Sequence, residues 1–195
     1  MSEYTWKILE DAHQALRTVV SGVPADGWTR PTPCEKWNVT QVLQHAVGDQ
    51  LGYAGILTGG PMPAEDPFSP SGHLDGDPAA VVEAALQSSA AAFGAVAPDA
   101  ESVPTPLPQG ALAAPVAVGA CALDAAVHAW DIAMGTGQPS PLTPEMARQL
   151  MPVATALVEP LRQWGAYAAV VPSADGDGDV EALLRYLGRR PDWNA

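Results

Sequence analysis

Six segments of the chain repeat apolar residues every three or four positions, which is the spacing of one face of an α-helix. Prolines, glycines and polar residues separate these segments. The predicted helices cover residues 4–20, 38–57, 77–97, 115–134, 143–164 and 179–187. A single short strand is predicted at residues 168–171. The pattern as a whole predicts an all-α, up-and-down bundle of four main helices with a short irregular C-terminal extension.

The start of the second helix carries the clearest local signal. Asn38 is a favourable N-cap residue, and Gln41 three positions later completes a capping box. Trp37 and Val42 occupy the two positions of a hydrophobic staple. These signals fix where the helix begins, so His45 is predicted to lie two turns into it.

Several features interrupt or modify the predicted bundle. Residues 59–78 are rich in Gly, Pro, Ser and Asp, and so long a connection is either a lid over a functional site or a mobile linker. In the fifth helix, Pro152 and Pro160 predict a kink or a split. The fourth helix is rich in alanine and almost free of charge, which predicts that it is buried on most sides.

Composition and charge narrow the functional classes. With 195 residues, 47% of them hydrophobic, the chain is expected to fold as one domain over residues 1–195. A net charge of −13 argues against nucleic acid and anionic membrane as partners. Neither a membrane-spanning apolar run nor a signal-peptide pattern is present, so a cytoplasmic location is expected. Cys34 is expected to be a buried structural residue, and His13 to lie at the surface.

One place in the sequence has polar side chains where a buried helix needs apolar ones. Asp124 and His128 are four residues apart in the fourth helix, so they share one face. Their neighbours are mainly alanine and valine, and a buried carboxylate is costly unless it is paired or binds a metal. His45 similarly interrupts an apolar pattern in the second helix. Two histidines and one carboxylate form a known catalytic zinc set with an open fourth position.

Two interpretations of this pattern stay open. The first is a metal site on His45, Asp124 and His128. The second is an Asp–His pair within one helix, since a carboxylate and a histidine at this spacing are common by chance. Imidazole and carboxylate ligands suit zinc but also nickel, manganese and iron. The first interpretation therefore predicts one divalent ion, with zinc as the leading choice.

Three short motifs are distinctive. Residues 31–45 read PTPCEKWNVTQVLQH, which contains W-x-V-x-x-x-x-x-H. Residues 128–138 read HAWDIAMGTGQ, and residues 188–193 read GRRPDW. Together they resemble the DinB-like superfamily and, within it, the actinobacterial mycothiol-dependent maleylpyruvate isomerase-like branch. The resemblance extends over nearly the whole chain, from residue 4 to residue 193.

This resemblance implies a four-helix bundle with a metal ion at one end of its core. The family's ligands are a histidine on the second helix, then an acid and a histidine four apart on a later helix, which correspond to His45, Asp124 and His128. Its enzymes use a low-molecular-weight thiol, mycothiol or bacillithiol, as cosubstrate for thiol transfer or thiol-assisted isomerisation. This sequence departs from the isomerase in two ways. The isomerase often has Glu at the position of Asp124, and it carries a second, C-terminal domain.

Four further residues are candidates for the pocket or for contacts behind the ligands. Asp131 is either a partner of a ligand or, as favoured, a brace for the loop that holds Trp37. Trp37 itself is expected to anchor the core. His73 is either a fourth ligand supplied by the long loop or, as favoured, a solvated residue. Cys121 lies one turn before Asp124 and is a candidate for lining the pocket.

The predicted function is that of a metal-binding, thiol-dependent transferase or isomerase, in which the metal activates a thiol toward a small electrophile. Two alternatives are a metal-binding protein without catalysis and a helical interaction domain that binds no metal. The apolar fourth helix and the resemblance to this family, whose members form dimers, also suggest a homodimer.

Overall fold

Six α-helices make up the regular structure of residues 5–194, the part of the chain that the computed structural model describes. They are α1 (Lys7–Ser21), α2 (Val39–Thr58), α3 (Pro78–Gly94), α4 (Ala114–Thr136), α5 (Pro144–Gln163) and α6 (Asp179–Tyr186). Within residues 5–194 there is no strand, and two isolated antiparallel bridges are the sole β-type pairings. The predicted all-α class is therefore confirmed.

Helices α1 to α4 form the bundle that was expected. α1 packs along α4, and α2 packs against both α3 and α4, so α4 is central. α5 also packs against α4, and α6 packs against α5. The site residues lie on α2 and α4, two neighbouring helices whose spacing is set by this packing.

The central helix α4 is buried along nearly its whole length, as its composition predicted. By length and hydropathy it is apolar enough to cross a membrane, yet 94% of its most apolar window is buried inside the protein. Small residues allow this close packing. At Gly119 an added Cβ would lie 2.6 Å from a methyl group of Val153 on α5, and at Gly135 it would lie 2.6 Å from the carbonyl oxygen of Pro31.

The capping box of α2 is confirmed. The Asn38 side chain accepts a hydrogen bond from the Gln41 N–H at 2.9 Å, and the Gln41 side chain accepts one from the Asn38 N–H at 3.1 Å. Gln41 also donates to the carbonyl oxygen of Pro70 at 3.2 Å. The residue that caps α2 therefore also attaches the 59–78 loop to it.

Three local predictions need correction or limits. Residues 168–171 form no strand, because no other strand lies beside them; instead, the Val171 N–H donates to the carbonyl oxygen of Arg185 at 2.9 Å. α5 is not split at Pro152 or Pro160. α1 begins at Lys7 with Trp6 as its N-cap, so residues 5 and 6 are not helical, contrary to the prediction, and the predicted start at residue 4 lies outside the described residues.

Candidate metal centre

α2 and α4 bring His45, Asp124 and His128 together in the core, and we call these three residues the ligand cluster. One ligand atom from each lies within 4.8 Å of the other two, and all three residues are buried. Asp124 Oδ1 lies 3.2 Å from His45 Nε2 and 3.3 Å from His128 Nε2. The helical spacing predicted the Asp124–His128 pair, and the packing of α2 on α4 adds His45.

The outer nitrogens of both imidazoles are already engaged. His45 Nδ1 lies 2.9 Å from the carbonyl oxygen of Pro67, and His128 Nδ1 lies 2.9 Å from Asp131 Oδ2. A carbonyl oxygen and an ionised carboxylate can only accept, so each Nδ1 carries the proton and donates. Both Nε2 atoms are therefore directed at Asp124.

The centre of the cluster requires a positive charge. A neutral imidazole with its proton on Nδ1 presents a lone pair at Nε2, and so does a carboxylate oxygen, so these atoms repel at close approach unless a proton or a metal ion lies between them. The second oxygen of Asp124, Oδ2, is buried and has no hydrogen-bond partner in the described part of the chain. Buried polar atoms without partners are rare in folded proteins. The donor set and the orphaned oxygen thus fit a divalent cation.

Without a metal, protonation supplies this charge. Burial disfavours the charged form of His128, but the charge and hydrogen bond of Asp124 outweigh burial and raise the pKa of His128 to about 9. Burial also opposes ionisation of Asp124, and the two imidazoles outweigh it, so the pKa of Asp124 lies well below its usual range. A metal ion would therefore have to displace a proton from His128.

Asp131 contacts a ligand of the cluster and does not brace the Trp37 loop, which corrects the favoured prediction. Its fully buried carboxylate accepts from His128 and pairs with Arg189, 58 residues later in the chain. Arg189 outweighs the cost of burial and lowers the pKa of Asp131. The loop is held instead by Thr32, whose hydroxyl donates to the carbonyl oxygen of Trp37 at 2.8 Å.

Two aromatic rings lie against His45. The ring centroid of half-buried Trp37 is 4.8 Å away, and that of Phe68, which is 64% exposed, is 5.4 Å away. Phe68 belongs to the 59–78 loop, which can approach α2 closely because residue 48 is a glycine: a Cβ there would lie 2.8 Å from Pro67. The loop therefore covers one side of the ligand cluster.

Neither His73 nor Cys121 is among the residues whose ligand atoms converge in the ligand cluster. The side chain of His73 is 81% exposed and pairs with Asp75, which agrees with the favoured interpretation of a solvated residue. The Cys121 thiol is buried and donates to Gln50 Oε1 at 3.2 Å. It belongs to a second buried group, which we call the neutral cluster, formed by His13, Gln50, Ser89 and Cys121.

His13 is fully buried, and the prediction of a surface position is wrong. Its Nε2 lies 2.9 Å from Gln50 Oε1, and burial lowers its pKa to about 4. Cys34 is half-buried, and burial raises the pKa of its thiol to about 11, so it is not a reactive thiolate at neutral pH.

Sequence reasoning missed two residues beside the site. Asp49 lies four residues after His45, the same spacing that joins Asp124 to His128, so the signal was present in the sequence. Burial and the nearby charge of Asp124 raise the pKa of Asp49 to about 7. Arg189 offered no comparable local signal, because its contact with Asp131 depends on the path of the C-terminal segment.

Residues 9–133 match the family model described as the mycothiol maleylpyruvate isomerase N-terminal domain. The chain belongs to this family. The match contains the whole ligand cluster and Asp131, while Arg189 lies beyond it. Membership confirms the family resemblance and the helical-bundle fold that it implied.

Two relatives extend the similarity beyond residues 9–133, to 91% of the chain. An uncharacterized protein of Mycobacterium tuberculosis H37Rv is 33% identical over 184 residues, which cover 91% of this chain and 93% of the relative. An uncharacterized protein of the CDC 1551 strain matches with the same identity and coverage. No solved structure matches the chain.

Proposed function

We propose that the protein binds one divalent metal ion, with zinc as the leading choice, on His45, Asp124 and His128, and uses it to activate a low-molecular-weight thiol such as mycothiol. The observation that carries this proposal is the convergence of two Nε2 atoms on Asp124 Oδ1 at 3.2 and 3.3 Å. Both Nδ1 atoms are engaged elsewhere, so the Nε2 atoms are free to bind a metal.

The donor set supports a catalytic centre. His45, Asp124 and His128 would hold the ion with two imidazoles and a carboxylate, a donor set found in catalytic zinc sites, although the same ligands also suit nickel, manganese or iron. When bound, a divalent cation supplies the Lewis acidity that favours the thiolate form of an entering thiol at neutral pH. Bound by these residues, the ion would serve thiol chemistry on a small electrophile, of the transferase or isomerase class.

The chain's own residues orient and shield this chemistry. Asp131 holds Nδ1 of His128, and the carbonyl oxygen of Pro67 holds Nδ1 of His45, so both rings keep their Nε2 atoms toward Asp124. Trp37 and Phe68 supply an apolar wall beside His45, which offers a contact surface for an apolar electrophile.

A metal-binding protein without catalysis is the second candidate. Burial favours it, since the side chains of His45, Asp124 and His128 are 8%, 11% and 6% exposed. Structural metal sites are closed in this way, whereas catalytic sites keep one position open to substrate. Access of a thiol to the cluster separates the two candidates.

Metal content tests the proposal directly. Protein purified without an affinity tag should contain one equivalent of zinc by elemental analysis. His128→Ala should contain none, and His73→Ala is the matched control because this histidine is exposed and does not belong to the cluster. Absence of metal in the wild type, even after incubation with zinc, would leave the cluster as a buried ion pair and end the proposal.

Thiol binding tests the catalytic part. Addition of mycothiol to cobalt-substituted protein should produce an ultraviolet sulfur-to-cobalt charge-transfer band. Cobalt protein that binds the metal but gives no such band would support the second candidate instead.

A further inference from the structure

Arg189 reaches the metal centre from outside the matched family domain. The fully buried carboxylate of Asp131 receives three contacts. His128 Nδ1 and Arg189 Nη2 meet Oδ2 at 2.9 and 3.0 Å, and Arg189 Nε meets Oδ1 at 3.4 Å. Two of the three contacts that fix this carboxylate therefore come from Arg189.

Arg189 is itself held in one place. Its Nη1 donates to the carbonyl oxygen of Leu187 at 3.0 Å, and its guanidinium lies 5.7 Å from the centre of the Tyr167 ring. The chain turns inward just before it, where Gly188 has a φ of +80° and the Arg189 N–H bonds the carbonyl oxygen of Leu184 at 2.8 Å. A side chain at residue 188 would be strained in this left-handed conformation. The guanidinium is thus a buried and fixed anchor.

We propose that Arg189 is a positioning residue for the metal centre and that it acts through Asp131. A carboxylate attached by one hydrogen bond can rotate, whereas the guanidinium fork holds both oxygens of Asp131 in a plane. One oxygen then stays in line with His128 Nδ1–H, which fixes the orientation of the ring and keeps Nε2 toward Asp124. The inference rests on the proposed function, because the metal is the ligand that Nε2 would hold.

A purely structural ion pair is the competing explanation. In that case Arg189 would attach the C-terminal segment to α4, and its loss would lower stability without changing His128. The two explanations therefore differ in what happens at the imidazole, not in whether the protein is destabilised.

The decisive comparison uses Arg189→Met, with Arg190→Met as the matched control because the Arg190 side chain is 71% exposed. Zinc affinity is measured by competition with a chelator. Exchange of the His128 Nδ1 proton with solvent is measured by nuclear magnetic resonance on metal-free protein. Loss of contacts behind a ligand costs about 10- to 100-fold in metal affinity, and we expect about 10-fold here. The proton should also exchange faster, and Arg190→Met should change neither property.

A double variant shows whether Arg189 acts through Asp131. Asp131→Asn alone should weaken zinc binding, and adding Arg189→Met should weaken it little further, because the residue that transmits the effect is already altered. Unchanged zinc affinity in Arg189→Met, or additive losses in the double variant, would overturn the proposal.

Two further measurements cover the cases in which Arg189→Met does not fold or the wild-type protein binds no zinc. If Arg189→Met does not fold, Arg189→Lys replaces it. Lysine keeps the charge but not the fork, so an intermediate loss of zinc affinity is expected and an unchanged affinity would overturn the proposal. If wild-type protein binds no zinc, the proposed function fails by itself, and proton exchange in the metal-free variants decides whether Arg189 orients His128.

Discussion

The ligand cluster and the neutral cluster show how the same bundle buries histidine in two different ways. In the neutral cluster, the Gln50 amide meets His13, the Ser89 hydroxyl and the Cys121 thiol, so neutral groups satisfy one another. In the ligand cluster, two imidazoles converge on a carboxylate that keeps one oxygen without a partner. The hydrogen bonds of the neutral cluster need no ion, whereas the ligand cluster needs a positive charge between its lone pairs.

The pKa values follow the same division. Burial lowers the pKa of His13 to about 4, because an amide oxygen cannot offset the cost of burying a charge. His128 is also buried, yet the Asp124 carboxylate raises its pKa to about 9. The partner of a buried histidine, rather than burial itself, therefore decides whether its pKa is lowered or raised.

The largest expected effect comes from removing the charge at the centre of the ligand cluster. Since loss of contacts behind a ligand already costs about 10- to 100-fold in metal affinity, Asp124→Asn should weaken zinc binding by more than about 100-fold. The measurement is chelator competition. Zinc binding as tight as in the wild type would mean that Asp124 is not a ligand.

The next effect should appear in the neutral cluster and leave the metal untouched. Gln50→Leu removes the shared partner of His13, Ser89 and Cys121, and buried groups without partners are destabilising. We expect the free energy of unfolding to fall by about 2 kcal/mol in urea titrations. The variant should still bind one equivalent of zinc, and loss of zinc from folded Gln50→Leu protein would contradict the separation of the two clusters.

The third effect is a pH dependence that differs between the clusters in metal-free protein. The pKa of His128 is raised from 6.5 to about 9, so its contribution to stability is complete below pH 6.5 and is lost as the pH rises through about 9. The pKa of His13 is lowered to about 4, so its effect lies on the other side, where stability falls as the pH drops from 6.5 toward 4.

Urea titrations across the alkaline range measure the contribution of His128 to stability. The free energy of unfolding should decrease as the pH rises from 6.5 through about 9, because folded His128 keeps a proton that the unfolded chain has released. Bound zinc should abolish this slope because the metal replaces the proton, and His128→Gln should abolish it as well. A slope that persists in His128→Gln would assign it to another group.

The smallest expected effect concerns the 59–78 loop. Phe68 is exposed, so Phe68→Ala should change the free energy of unfolding by no more than about 0.5 kcal/mol. It should nonetheless raise the mycothiol concentration needed to half-saturate the charge-transfer band of the cobalt protein, because one wall beside His45 is lost. Ile56→Ala, which changes an exposed apolar residue of α2, is the control, and equal behaviour of the two variants would remove the loop from the site.

Whether a contact of the fold or the site could be predicted depends on how far apart its two residues are in the sequence. The capping box at Asn38 and the pairing of Asp124 with His128 depend on residues three or four apart, and the helical period places them. Asp49 stands at the same spacing after His45, so the helical period places it on the same face as well.

Contacts between distant parts of the chain gave no such signal. The bond from His45 to Pro67 depends on how the long loop returns to α2, and the contact of Arg189 with Asp131 depends on the turn after α6. The predicted strand at residues 168–171 failed for the same reason, since apolar residues form a strand only where another strand lies beside them.

X-ray absorption on the zinc-loaded protein tests the central claim most directly. The account predicts two imidazole nitrogens and a carboxylate oxygen at about 2.0–2.2 Å with no sulfur, and one sulfur at about 2.3 Å once mycothiol is added. Sulfur around zinc before any thiol is added, or a zinc environment without histidine, would contradict the assignment of His45, Asp124 and His128.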